Sequence, residues 1–390
     1  MTSADHASLR ETIETLAAIE RPACSPGERE AAEWIAGRLR EAGCEAAVEE
    51  ELAHPGYARH MTALGAAGVA SGIAALRGRR ALGAIAATAV AAAVTDDISN
   101  GPRLVRRLLK RRPTWNVVAT AGDHAAPRTL VLLAHHDAAP TGIIFNPAPQ
   151  RRAWERFPRL IESHDTSLPL WWIGVGASLA VAAGALLKRR ALVAAGTAVG
   201  ALGTASMADI ARSPTVPGAN DNLSGVATLI EVAHALQARP IDGLRVLLVS
   251  CGAEEVLQGG IHGFADRHFR SLAADRTWFL NLETVGSPRL AMLEGEGPVW
   301  MEDQDPELRD LVANTAATAG IDLRRGLRSR SSTDTVVPHR AGYPVVTLTS
   351  ITPWKSLANY HWPTDTPENV DYDTVGQAVR LVEAVAGRLA

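Results

Sequence analysis

The chain has 390 residues, with 39 basic and 42 acidic side chains and a formal net charge of −3. That balance excludes the basic surplus expected of a nucleic-acid binder. Hydrophobic residues make up 47% and charged residues 21%, which excludes general disorder and leaves ample chain for a buried core. Cys24, Cys44 and Cys251 stand at unrelated spacings, so reduced thiols are expected in place of a disulfide framework or thiolate zinc site. Residues 1–20 open polar and slightly acidic and lack the pattern of a secretory signal. A helix is predicted to begin at Ser25 as N-cap, with Pro26 in its first position and Glu28 reaching back. Ala31, Ala32, Ile35 and Leu39 share one face of it, and Gly43 is its stop.

Two apolar segment pairs interrupt this globular pattern. Residues 62–76 and 81–95 flank Arg77-Gly78-Arg79-Arg80, and residues 168–187 and 191–208 flank Lys188-Arg189-Arg190. Each pair reads as a helical hairpin with a charged tip, inserted over 62–95 and 168–208 into a single domain spanning 1–390. The second pair spans about 27–30 Å and is long enough for a bilayer, whereas the first, at about 22 Å, is short. Gly68/Gly72 and Gly196/Gly200 permit close helix contact in lipid, and Trp171 and Trp172 suit an interface. The competing reading is an Ala-rich helical subdomain packed in water. Uncharged apolar segments favour integral membrane association. Basic tips would favour placing the tips in the cytoplasm. Arg103, Arg106, Arg107, Lys110, Arg111, Arg112, Arg151, Arg152, Arg156 and Arg159 favour a cytoplasmic globular part, the side taken here.

The remaining chain alternates strand and helix. Strands are predicted at Asn116–Ala119, Thr129–Ala134, Leu244–Ser250, Trp278–Leu282 and Pro344–Thr349. Helices are predicted at Ser224–Leu236, Pro306–Ala319 and Tyr372–Leu389. Near-continuous apolar strands indicate an α/β fold whose mixed, mostly parallel sheet is covered by helices on both faces. Ligands in such folds bind beyond the carboxyl ends of the strands.

Metal-ligand residue types stand at those ends. Val131–Ala134 runs into His135-His136-Asp137, Val246–Ser250 into Cys251-Gly252-Ala253-Glu254-Glu255, and Phe279–Leu282 into Glu283. Gly218-Ala219-Asn220-Asp221-Asn222 leads into a helix, and Asn359-Tyr360-His361-Trp362-Pro363-Thr364-Asp365 lies near the C-terminus. Carboxylates and imidazoles without thiolates suit zinc, and less selectively manganese or cobalt.

In order and in kind, these five segments resemble peptidase family M28, the co-catalytic dizinc exopeptidases that include bacterial aminopeptidases, glutamate carboxypeptidase II and related glutaminyl cyclases. The resemblance covers roughly residues 10–60, 113–140 and 215–390. It implies a zinc-exopeptidase fold and two Zn2+ ions. His135 and Glu283 would ligate one metal, Glu255 and His361 the other, and Asp221 would bridge both. Asp137 would orient His135, and Glu254 would be the general base. Two dications need a bridging carboxylate and hold a water of lowered pKa, whose proton a neighbouring glutamate can take.

The sequence also departs from the family pattern. His135 and Asp221 are 86 residues apart, with the second hairpin between them. Glu283 stands where Asp is commoner, and Thr335 replaces a usual His in Thr333-Asp334-Thr335. The expected activity is aminopeptidase action on a peptide substrate. Its alternatives are a carboxypeptidase or other amidohydrolase on the same scaffold, or a non-catalytic membrane receptor retaining the fold. Membrane lipid is the other expected partner, and the oligomeric state is left open.

Overall fold

The computed structural model describes residues 3–390; Met1 and Thr2, the first residues of the polar opening segment, lie outside the described residues. The first half of the chain contains α1 (Ser3–Ala17), α2 (Pro26–Glu41), β1 (Glu45–Ala53), α3 (Ala58–Leu76), α4 (Arg80–Ile98), β2 (Arg112–Gly122), β3 (Arg128–His135), α5 (Pro147–Arg156), α6 (Pro158–Glu162), α7 (Trp172–Leu186) and α8 (Arg190–Ile210). The second contains α9 (Leu223–Ala238), β4 (Leu244–Cys251), α10 (Gly259–His268), β5 (Thr277–Glu283), β6 (Arg289–Glu296), β7 (Glu302–Asp303), α11 (Pro306–Thr318), β8 (Arg324–Ser329), α12 (Val336–Arg340), β9 (Val345–Ile351) and α13 (Tyr372–Leu389).

One mixed sheet runs β1-β2-β4-β3-β5-β9-β6-β7, with β8 beside β6. Its centre, β4-β3-β5-β9, is parallel, and antiparallel pairs flank it on both sides. The central strands are apolar throughout because both faces are covered. On one face α1, α2, α9, α11 and α13 pack Leu9, Ile35, Val226, Leu229, Val312 and Val382 against Leu130, Leu132 and Leu248. On the other, Ile261, Phe264 and Tyr343 meet Val131, Leu133 and Phe279. The register pairs His135 with Cys251 and Leu133 with Asn281, so β3, β4 and β5 all end at one edge.

At the start of α2, Ser25 Oγ accepts from Glu28 N at 3.1 Å, the expected cap. The Glu28 carboxylate, however, reaches Cys24 N, Thr114 Oγ1 and Ala253 N. It ties the helix start to the loop after β4, which local sequence does not reveal.

Helices α3, α4, α7 and α8 pack as a bundle beside the sheet domain. The first pair is longer than its apolar core: at 19 residues each, α3 and α4 span about 28 Å. They extend because His60 Nε2 meets Asp97 Oδ2 at 2.6 Å and Arg106 clamps the same carboxylate, satisfying polar groups at the bundle's base. Conversely, α7 has only 15 residues. Gly196 sits at a close backbone crossing of α8 with α7; a Cβ there would lie 2.8 Å from Ala177 O. Arg190 Nη1 donates to Leu76 O, so the two basic tips share the distal end. The bundle's outer surface exposes Leu82, Ile85, Leu179, Leu186, Val199 and Leu202. Two helices, Arg80–Ile98 and Arg190–Ile210, are long and apolar enough to cross a membrane. Trp171 and Trp172 serve the seam with the sheet domain: Trp171 packs edge-on against Tyr57, and Trp172 Nε1 donates to Pro298 O at 2.6 Å.

Candidate metal centre

Strand ends and two loops deliver the site. His135 closes β3, Glu283 closes β5, Glu254 and Glu255 follow β4, Asp221 precedes α9, and His361 lies in the loop between β9 and α13. One oxygen or nitrogen from each of His135, Asp221 and Glu283 falls within a sphere of mutual distances below 4.8 Å, and the same holds for Asp221, Glu255 and His361. Asp221 belongs to both groups. Its Oδ1 is 3.4 Å from His135 Nε2 and its Oδ2 is 3.3 Å from His361 Nε2. His135 Nε2 lies 3.5 Å from Glu283 Oε1, and His361 Nε2 lies 3.0 Å from Glu255 Oε2. Glu254 Oε2 stands back at 3.9 Å from His135 Nε2. The structure therefore brings together every candidate ligand and the candidate base. His136 is separate: it is buried in the core, with Nδ1 2.9 Å from Ser250 Oγ.

Burial makes this arrangement costly without cations. His135, Asp221 and His361 are almost fully buried, and Glu254 and Glu255 nearly so. His135 Nε2, His361 Nε2, Asp221 Oδ2 and Glu255 Oε1 are buried without a hydrogen-bond partner. Such atoms normally find partners. These converge on two points, with a donor chemistry that fits divalent zinc. The titration behaviour tells the same story. Burial pushes the Glu255 carboxyl up to about 7 against the pull of His361. Burial likewise drives Glu254 well above the usual range; His135 opposes the rise, and Glu283, Asp334 and Glu255 add to it. Burial opposes protonation of His361, yet Glu255 and Asp221 raise it to about 10.

A surrounding layer holds these groups in place. Asp137 accepts from Glu254 N at 2.9 Å and Glu255 N at 3.1 Å, and its Oδ1 lies 3.5 Å from His135 Nδ1. Its reach is thus wider than orienting one imidazole. Asp365 accepts from Asn220 N at 2.7 Å and Asp221 N at 3.1 Å, so it supports the Asp221 loop and not His361. Burial and Asp221 push the Asp365 carboxyl up to about 8. Beneath the acids, the fully buried Arg21 donates to His136 O, Pro217 O and Gly218 O. Gly218 has φ +61°, and a Cβ there would sit 2.7 Å from Arg21 Nη2, so the position requires glycine.

Sequence reasoning missed Gln258, which donates to Glu254 Oε1 at 2.9 Å while accepting from Asn100 Nδ2 at 2.8 Å. Phe145, which packs edge-on to His361, was also missed. The Glu254–Gln258 spacing of four was the available signal for the first. Tyr360 stacks on His361, whereas Trp354 packs against Trp154. Thr335 lies in a buried network, donating to Glu296 and contacting Thr333 and Thr347.

A parallel-centred mixed sheet with this cage at its strand ends defines the zinc-exopeptidase type of fold. Residues 201–386, which carry four of the five sequence segments, match the model of peptidase family M28; the His135 segment lies outside the matched stretch. Over 182 residues the chain is 28% identical to Aminopeptidase YwaD of Bacillus subtilis (strain 168). That match covers 44% of this chain, and the chain spans only 37% of the relative's length. Among solved structures, a leucine aminopeptidase precursor from Bacteroides thetaiotaomicron superposes with a TM-score of 0.57 at 13% identity, covering 98% of this chain and 96% of that one. A glutaminyl cyclase from Fimbriiglobus ruber gives 0.58 at 13% identity, covering 99% and 96%. BSAP, a zinc aminopeptidase from Bacillus subtilis, gives 0.55 at 16% identity, covering 97% and 94%. At these identities the structural likenesses speak for the fold alone.

Proposed function

We propose that the protein is a zinc-dependent exopeptidase that releases an N-terminal residue from peptides. The observation that carries this reading is the pair of three-residue donor groups sharing Asp221. His135, Asp221 and Glu283 would hold one zinc, and Asp221, Glu255 and His361 the other. Bound there, paired zinc supplies an acidified water and polarises the scissile carbonyl. Glu254 stands close enough to His135 to serve the same centre without joining either donor group. It would take the water's proton and return it to the departing amine. Gln258 would hold one Glu254 oxygen, leaving the other free for that transfer. Phe145 and Tyr360 would shield His361 from water.

The bundle of α3, α4, α7 and α8 would lie in the bilayer, with the sheet domain on the cytoplasmic side. Its exposed apolar belt supports the bilayer placement, and the exposed basic residues at the bundle's base, Arg107, Lys110 and Arg111 among them, support the side.

The test is purified full-length protein assayed on aminoacyl amides, N-blocked dipeptides and N-terminal glutaminyl peptides, before and after chelation. Zinc-restored release of a free N-terminal residue is expected. Hydrolysis of N-blocked dipeptides instead would identify a carboxypeptidase, cyclisation of glutamine a cyclase, and activity surviving both chelation and Glu254→Gln would overturn the metal mechanism.

A further inference from the structure

Just below the base of α3 and α4, an open cleft of about 630 Å3 lies between residues 101–111, which follow α4, and the end of β1 with α10. Its walls include His54, Arg103, Arg106, Arg107, Arg111 and His262. Arg106 forms the floor, fully buried, clamped by Asp97 and donating to Val256 O at 2.8 Å. Arg103 Nη2 donates to Leu257 O at 2.6 Å, but its Nε is buried without a partner, as is His54 Nδ1. Arg107 and Arg111 are exposed, and neither side chain has a hydrogen-bond or ion-pair partner among the described residues. Burial, together with Arg103, Arg340 and Arg106, drives His262 down to about 4, a sign of the positive field here. Glu50, Glu51 and Asp266 line the opposite wall, where Arg267 already engages Glu51 at 2.6 Å.

We propose that this cleft binds the phosphate of an anionic phospholipid headgroup. The inference rests on the bundle lying in the bilayer. The cleft opens where α4 ends and β1 leads into α3, so a bilayer around the bundle would bring its headgroups to this level. Leu104, Leu108 and Leu109, interleaved with the arginines in the chain, are exposed. Unpaired guanidinium groups beside exposed leucines match a phosphate on an acyl chain better than a free anion. Because Arg103 and Arg106 also hold the carbonyls of Leu257 and Val256, an occupied cleft would brace the loop that follows Glu254 and Glu255.

The test titrates detergent-purified full-length protein with dihexanoyl phosphatidylglycerol, dihexanoyl phosphatidylcholine and inorganic phosphate by calorimetry. Preferential binding of phosphatidylglycerol is expected. Arg107→Gln/Arg111→Gln should weaken it roughly 30-fold, about 2 kcal/mol at 1.4 kcal/mol per tenfold. Equal binding of phosphatidylcholine, an unchanged affinity in the double variant, or inorganic phosphate binding as tightly as the lipid would each overturn the proposal. The wild-type lipid comparison stands without any variant. Alkaline carbonate extraction of membranes scores bundle insertion separately, and zinc-dependent hydrolysis in the same preparation scores the peptidase reading.

Discussion

Replacing Asp137 by Asn tests how the proposed centre is supported. The side chain is fully buried, and its two oxygens each accept one backbone amide, from Glu254 and Glu255. Asparagine keeps the volume but has a single oxygen, so its NH2 must face an N–H donor. The variant loses one charge-assisted hydrogen bond outright, about 1.5–3 kcal/mol. At 1.4 kcal/mol per tenfold, that is roughly a 10- to 150-fold effect. An independent expectation agrees: removing a group that supports a metal ligand typically costs about 10- to 100-fold in metal affinity or activity. The loss should fall on zinc affinity first, because the loosened peptide carries Glu255, and on turnover second, through Glu254.

The assay is competition for zinc against a chelating dye, followed by turnover at saturating zinc. Asp123→Asn is the control. Asp123 also accepts two backbone amides, from Ala125 and Gly243, but beside the amino end of β4, away from the site. Zinc affinity should fall within the stated range for Asp137→Asn and stay unchanged for Asp123→Asn. Wild-type affinity and turnover in Asp137→Asn would refute the reasoning.

Three further outcomes are expected. Glu254→Gln should lower kcat by about 10²–10⁴-fold while leaving bound zinc unchanged, as measured by turnover and metal analysis; loss of zinc instead would recast Glu254 as a ligand. Burial and Asp137 push the Glu28 carboxyl to about 9, against the bonds from Thr114, Ala253 and Cys24. The native chain therefore holds a proton that the unfolded chain releases near pH 4.3, and stability falls as pH rises from about 4.5 to about 9. Glu28→Gln should flatten that slope in denaturant midpoints read across the window, and an equally steep fall in the variant would exclude Glu28 as its source. Gly196→Leu should open the α7–α8 crossing, where a Cβ already meets Ala177 O and Ala180 Cβ, and should raise protease sensitivity of the bundle without lowering zinc affinity in the surviving fold.

The elements legible in the sequence are those whose burial is symmetric or whose caps are local. β3, β4, β5 and β9 are apolar on both faces and lie within one or two residues of their predicted bounds. β1 was not legible because Glu45, Glu49, Glu50 and Glu51 populate an edge strand, where one side is wet and charge protects the edge. The positions of the candidate ligands followed from strand ends, but their support did not. Gln258 reaches Glu254 only because its own backbone is left-handed, with φ +58°. Asp365 serves two amides 144 and 145 residues away in sequence, a pairing that no spacing encodes.

The 86-residue gap between His135 and Asp221 is the feature of the sequence that sits worst with a converged site, and the geometry resolves it. Thr141 N donates to Pro214 O and Val216 N to Ala139 O, so the segment that carries α7 and α8 leaves and returns through a two-stranded neck. The segment that carries α3 and α4 behaves alike, since Ala53 at the end of β1 pairs with Arg112 at the start of β2. Loop-closure entropy grows only by about 0.6 kcal/mol per doubling of length, and a neck that is hydrogen-bonded across its ends offsets much of that. A helical hairpin, whose ends meet by construction, is therefore the insertion that such a site tolerates best. His135 lies a few residues before one neck strand and Asp221 a few residues after the other. The donors accordingly stay on the parent sheet while the apolar helices grow outward from it. This geometry also predicts an asymmetry: substitutions at the necks, such as Gly142→Val against Ile210, should disturb zinc affinity, whereas changes at the distal tips should not.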